Sequence, residues 1–176
     1  MDTVDYIKNS LGFAHRALTD ACNGTAEQLH FVPQGGSHSI AWCLWHTSRI
    51  EDAIINGRAR QAPLIWTEQW AERIGLPFDG TGNGMSDEEA SEVHIKDMDA
   101  FRAYQSAVFQ QTEQYLDSIA DEDLQRETTT RTGAIETVGQ AISLHMIGHF
   151  NGHRGEINLL RGMQGLPTVL AREGTH

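Results

Sequence analysis

The sequence predicts an all-α protein, an up-and-down four-helix bundle whose second and third long helices are joined by a long connection carrying short helices. Three observations predict it. Four long segments space their apolar residues in alternating steps of three and four. Each begins at a capping residue or ends at a glycine. Convincing strands are absent, the stretch "QRETTTRTG" being a weak exception. A chain of 176 residues can bury one sizeable core, so a single domain over residues 1–176 is expected.

The first segment carries Val4, Ile7, Leu11, Ala14, Leu18 and Ala21 on one face and should stop near Asn23-Gly24. After a loop through Pro33, Gly35 and Gly36, Ser37 or Ser39 can cap the second segment. Its face is Trp42, His46, Ile50 and Ala53, with an expected end at Asn56-Gly57. "LIWTEQWAERIG" reads as a short amphipathic helix closed by Gly75. Ser86 and Glu89 have capping-box spacing after a loop. Asp97 can cap the third long helix, bearing Phe101, Tyr104, Val108, Tyr115 and Ile119. "DEDLQRETTTRTGAIET" is polar and expected to be irregular, with at most one helical turn. Thr137 then caps a helix reaching Met163, with Gly165 and Pro167 where a stop belongs.

Charge narrows the function classes. Lys plus Arg is 13 against 24 for Asp plus Glu, a formal net charge of −11. That balance opposes binding to nucleic acid or to anionic membranes, both of which reward basic surfaces. No signal peptide and no spanning segment is visible. Two cysteines, Cys22 and Cys43, are too few for a disulfide framework. A cytoplasmic, reduced setting is expected.

The chemistry concentrates in "SLHMIGHFNGHRGEINLLRGMQG", Ser143–Gly165, where His145, His149 and His153 follow one another at four-residue spacing. The inward stripe reads Val138, Ile142, His145, His149, His153, Glu156, Leu160 and Met163, so imidazoles stand where a bundle wants Leu or Ile. An unpartnered polar ring there costs roughly a few kcal/mol. Imidazoles at i and i+4 can share one divalent ion. His149 with His153 is one such pair and His145 with His149 another. A third ligand should come from a facing helix, and His46 is the best placed. His15 and His94 lack a matching context, while His30, His38 and His176 lie in loops or at the terminus. Cys43, one turn from His46, could ligate but reads more simply as a small core residue.

Other metal chemistries fit less well. A zincin needs Glu directly after the first His, and here the pair is His149-Phe150-Asn151-Gly152-His153. A di-iron carboxylate bundle needs two Glu-x-x-His motifs, and the single Glu27-Gln28-Leu29-His30 sits beside a loop without a twin. Gly148, Gly152 and Gly155 leave a bare patch beside the histidines, suited to close helix approach or to a ligand. "DGTGNGM" follows no strand and reads as a flexible loop, not a phosphate cradle. Trp42, Trp45, Trp66 and Trp70 are expected to pack.

"IAWCLWHTSRIEDAII" resembles the second-helix signature of the DinB/YfiT-like metalloenzyme superfamily, an apolar-Trp stretch leading to His and then Glu. "LHMIGHFNGHRGEINLLRGMQGLP" resembles its fourth-helix signature, H-x-x-x-H-R-G-[QE]-I followed by an apolar-Arg-x-x-Gly ending. The resemblance implies a four-helix bundle, frequently a homodimer, with a three-histidine site for a divalent metal, often Zn or Ni. Carried over residue by residue, the ligands are His46, His149 and His153. His145 falls one turn before the paired motif and is expected to line the pocket. Glu156 matches the position that could orient a ligand histidine, and Glu51 matches the Glu after the first His less closely.

Some relatives are thiol-dependent isomerases and S-transferases using low-molecular-weight thiols. The resemblance therefore implies a metal-dependent enzyme of that type acting on a small molecule. His145, Arg49 and Arg154 would surround its open coordination position. The alternatives are a non-catalytic metal- or ligand-binding dimer, and a metal-assisted hydrolase with Glu156 or another carboxylate as base.

Overall fold

The computed structural model describes residues 1–169; His176 lies outside them. The expected helices are present. α1 (Thr3–Ala21) buries Val4, Ile7, Leu11, Ala14, Leu18 and Ala21, the face read from the sequence. Asp2 caps it by accepting from the Asp5 N–H, and Asp121 closes its two preceding free N–H groups, those of Thr3 and Val4, at 2.9 Å each. α2 (Ala26–Leu29) is a single turn with a Thr25–Gln28 capping box. α3 (Ile40–Asp52) starts at Ser39, whose hydroxyl accepts from the Trp42 N–H.

Almost every residue of α3 is buried, which makes it a central helix rather than the one-faced helix the spacing suggested. Its polar residues are satisfied in separate directions. Thr47 and Ser48 donate to carbonyls one turn back. Asp52 accepts from the N–H groups of Ile65 and Trp66 and from the Asn56 amide. The helix also passes the expected stop at Asn56-Gly57 and widens into a π turn, Ala53–Ala59. Asn56 is buried against Asp52, and its carbonyl accepts from the Ala62 N–H at 2.8 Å, so it continues the chain inward instead of ending it.

The connection carries α4 (Glu68–Ile74), closed by Gly75 at φ +80°, and α5 (Asp87–Ser91), begun by the Ser86–Glu89 capping box. α6 (Met98–Asp117) starts at Asp97. The polar stretch after it is more ordered than its composition suggests. A 3-10 turn (Asp121–Gln125) leads into a hairpin of β1 (Glu127–Thr129) and β2 (Ile135–Thr137), in antiparallel register Thr128↔Glu136. Thr137 and Gln140 then form the capping box of α7 (Val138–Ile142), which passes through a π turn (Ser143–Gly148) into α8 (His149–Met163).

α1 and α3 each pack on both α6 and the α7–α8 helix, so they face each other across the bundle diagonal. The order around the bundle is thus first, fourth, second, third, not the sequential order of an up-and-down bundle. The connection of residues 22–39 is long enough to cross the bundle end, which a short hairpin loop could not do. The consequence for function is direct: α3 and α8, which carry the motif histidines, are neighbours. No helix among the described residues is long and apolar enough to cross a membrane.

Candidate metal centre

The core stripe of the last helix is Val138, Ile142, Met146, Phe150, Ile157 and Leu160. His145 is not on it. The wider π turn shifts the register, and Met146 takes the core position while the His145 side chain is 46% exposed and contacts Glu136 at 3.1 Å. The expectation that His145 lines the site is therefore corrected. Met163, placed on the inward stripe by its spacing, is 55% exposed.

His149 and His153 instead face α3, where His46 meets them. The Nε2 atoms of His46 and His149 lie 3.1 Å apart, and those of His149 and His153 lie 2.9 Å apart. Ligands ~2.0–2.1 Å from one tetrahedral ion would be about 3.4 Å apart, so a small outward adjustment suffices. Two of the Nδ1 atoms are committed. That of His46 donates to the Thr81 carbonyl at 2.5 Å and that of His153 to Glu156 Oε2 at 2.8 Å. With those two protons fixed on Nδ1, the Nε2 lone pairs of His46 and His153 converge on Nε2 of His149. Lone pairs cannot satisfy one another, and a cation between them can. The donor set fits a divalent metal, and these three nitrogens form a group able to hold one.

Burial reinforces this. It lowers the His46 pKa to about 3 against the partly opposing hydrogen bond to Thr81, with His153 and His149 lowering it further. Burial and the neighbouring His153 likewise lower His149 to about 4. Both rings stay neutral well below neutral pH, the form a metal ligand must have. Glu156 is an ionised anchor: burial raises its pKa, but hydrogen bonds from His153 and His38 prevail and hold it at about 2.

Two neighbours escaped the sequence reading. His38 does lie in a loop, yet its Nδ1 donates to Glu156 Oε1 at 2.7 Å and its ring stacks on Trp42 at 3.6 Å. "DGTGNGM" supplies the Thr81 carbonyl, and Gly82, at φ +90°, lies against His46 and Trp45; a Cβ there would stand 3.1 Å from His46 Nδ1. Three glycines in seven residues signalled such close backbone approach.

Other expected contributors act elsewhere. Arg49 donates to the Gly80 carbonyl at 2.8 Å and stacks over Trp66, while Arg154 lies over Phe13. Neither forms the expected pocket wall around the imidazoles. Glu51 pairs with His15 at 2.9 Å and accepts from Thr112, pinning α3 to α1 and α6. His30 donates to the Ala26 carbonyl and accepts from the Ile95 N–H, so Glu27-x-x-His30 is a turn lock and no ligand pair. Cys43, His153 and Glu156 form a second close group. Burial, and then the Glu156 charge, push the Cys43 thiol well above its usual range, which opposes the thiolate a ligand must be.

A family model described as the DinB superfamily matches residues 13–157. Among solved structures, a conserved protein from Enterococcus faecalis superposes with a TM-score of 0.76 at 24% identity, covering 92% of this chain and 96% of that one. At that identity the likeness concerns the fold. No curated protein matches the chain. His46, His149, His153 and Glu156 all lie within the matched span, and the chain belongs to the DinB superfamily.

Proposed function

We propose that this protein is a metal-dependent enzyme whose divalent ion, Zn or Ni, is held by His46, His149 and His153. The supporting observation is the convergence of three Nε2 atoms, with the Nδ1 partners of His46 and His153 fixed. Three protein ligands leave a fourth position open, as in catalytic rather than structural zinc sites. A bound ion there would lower the pKa of a low-molecular-weight thiol and stabilise its thiolate. The sulfur would then bond to an electrophilic carbon, the thiol proton passing to solvent and the leaving group departing with its electron pair. This chain's residues supply the frame: Thr81 orients the His46 ring and Glu156 the His153 ring, and Trp42 and Trp45 wall the His46 side.

A metal-stabilised, non-catalytic bundle is the second reading, because the same ion would cross-link α3 to α8. Metal-assisted hydrolysis has less support, since both oxygens of Glu156 are engaged by His153 and His38. A homodimer in a cytoplasmic setting belongs to the first reading. The test is a panel of thiols and electrophiles assayed with metal-loaded and chelator-treated protein. Metal-dependent thiol consumption is expected. Chelation that lowers the melting temperature with no turnover on any pair would favour the second reading.

A further inference from the structure

We propose that His38 is a positioning residue of the metal centre, acting on His153 through Glu156 and on His46 through Trp42. The inference rests on the reading of His46, His149 and His153 as ligands, and it adds a residue that no family motif marks.

His38, Trp42 and His46 are spaced by four, the interval that also separates His149 from His153. His38 immediately precedes Ser39, the residue that caps α3, so the helix start fixes its backbone. Its ring lies flat on Trp42, with centroids 3.6 Å apart and planes 6° apart. Trp42 in turn stacks on His46 at 4.6 Å and meets His153 edge-on at 5.5 Å. Along the other branch, His38 Nδ1 holds Glu156 Oε1 at 2.7 Å while Oε2 holds His153 Nδ1 at 2.8 Å.

These contacts close a ring that runs His46, Trp42, His38, Glu156 and His153, and returns across the converging Nε2 atoms. A carboxylate tied by one oxygen can rotate about its side-chain bonds. Tied by both, it sets the plane of the ligand imidazole. Groups behind a ligand histidine typically contribute about 10–100-fold in metal affinity.

The experiment is Zn affinity by chelator competition, with the visible spectrum of the Co-substituted protein as an independent readout. Wild type, His38→Ala, His38→Gln, Glu156→Ala and the double variant would be compared, with the melting temperature of each metal-free protein measured in parallel. The expected result for His38→Ala is Zn binding weakened about 10–100-fold, a changed Co spectrum and a melting temperature close to wild type. His38→Gln, whose amide can still donate to Glu156, should recover part of the affinity.

In the Glu156→Ala background, adding His38→Ala should weaken binding less than it does alone, because only the Trp42 branch remains to be lost. If wild type binds Zn and His38→Ala binds it within twofold, the proposal is overturned and the three-histidine reading stands. A lowered melting temperature with unchanged Zn affinity and Co spectrum also overturns it, as a purely structural role. If wild type binds neither Zn nor Co, the three-histidine reading fails and the proposal falls with it.

Discussion

Glu156 shows at the scale of one residue how the centre is assembled. It lies three residues after His153, on the same helix turn, and its second oxygen reaches His38 from a loop 118 positions away in the chain. Substituting Glu156→Gln keeps one acceptor but removes the charge. Metal affinity should fall about 10–100-fold with the fold intact, as measured by chelator competition and far-ultraviolet dichroism. Gly82 offers a second test. Its backbone is left-handed, and an added Cβ would press on His46 and Trp45. Gly82→Ala should therefore destabilise the protein by about 1–3 kcal/mol in denaturant unfolding and weaken metal binding as well. The sequence exposed His149 and His153 through their spacing and Glu156 through its motif position. It hid His38, because that residue stands before the Ser39 cap, outside the helix whose spacing it shares, and its partners lie on two other segments.

Elements carry the second lesson. Caps were legible, since Ser39, Ser86, Asp97 and Thr137 each accept the expected N–H. The two π turns were not, because nothing in apolar spacing marks one extra residue per turn. One carries α3 past Asn56-Gly57 and the other turns the His145 side chain away from the site. The order around the bundle was likewise hidden, being set by how connections cross the ends. α3 also joins its neighbours through a buried polar pin: His15 from α1 and Thr112 from α6 both meet Glu51, which is fully buried. Glu51→Ala would leave the His15 and Thr112 donors facing a cavity. We expect a loss of about 2–4 kcal/mol, read from urea unfolding, with metal stoichiometry unchanged because Glu51 does not touch the histidine cluster.

At the scale of the whole molecule, the depressed imidazole pKa values link stability to pH. His46 and His149 titrate in the fold at about 3 and about 4, against 6.5 as the ordinary value. Both are neutral in folded and unfolded chains above that value. As pH falls below 6.5 the unfolded chain takes up protons that the fold refuses, so stability is lost progressively until the folded values are reached. The metal-free protein should melt at lower temperature at pH 5 than at pH 7. His149→Ala should flatten part of that slope in a calorimetric pH series. A bound ion adds stability according to its concentration over its Kd and joins the two halves of the bundle that α3 and α8 represent.

If the converging imidazoles hold a divalent ion, purified protein should carry one. The most direct measurement is elemental analysis of untagged protein, as purified and after incubation with Zn or Ni followed by desalting, beside His149→Ala. About one equivalent of metal per chain is expected in the wild type, and its loss in the variant. Wild-type protein that retains no ion even after incubation, or a variant that binds as well as wild type, would contradict metal binding by these imidazoles.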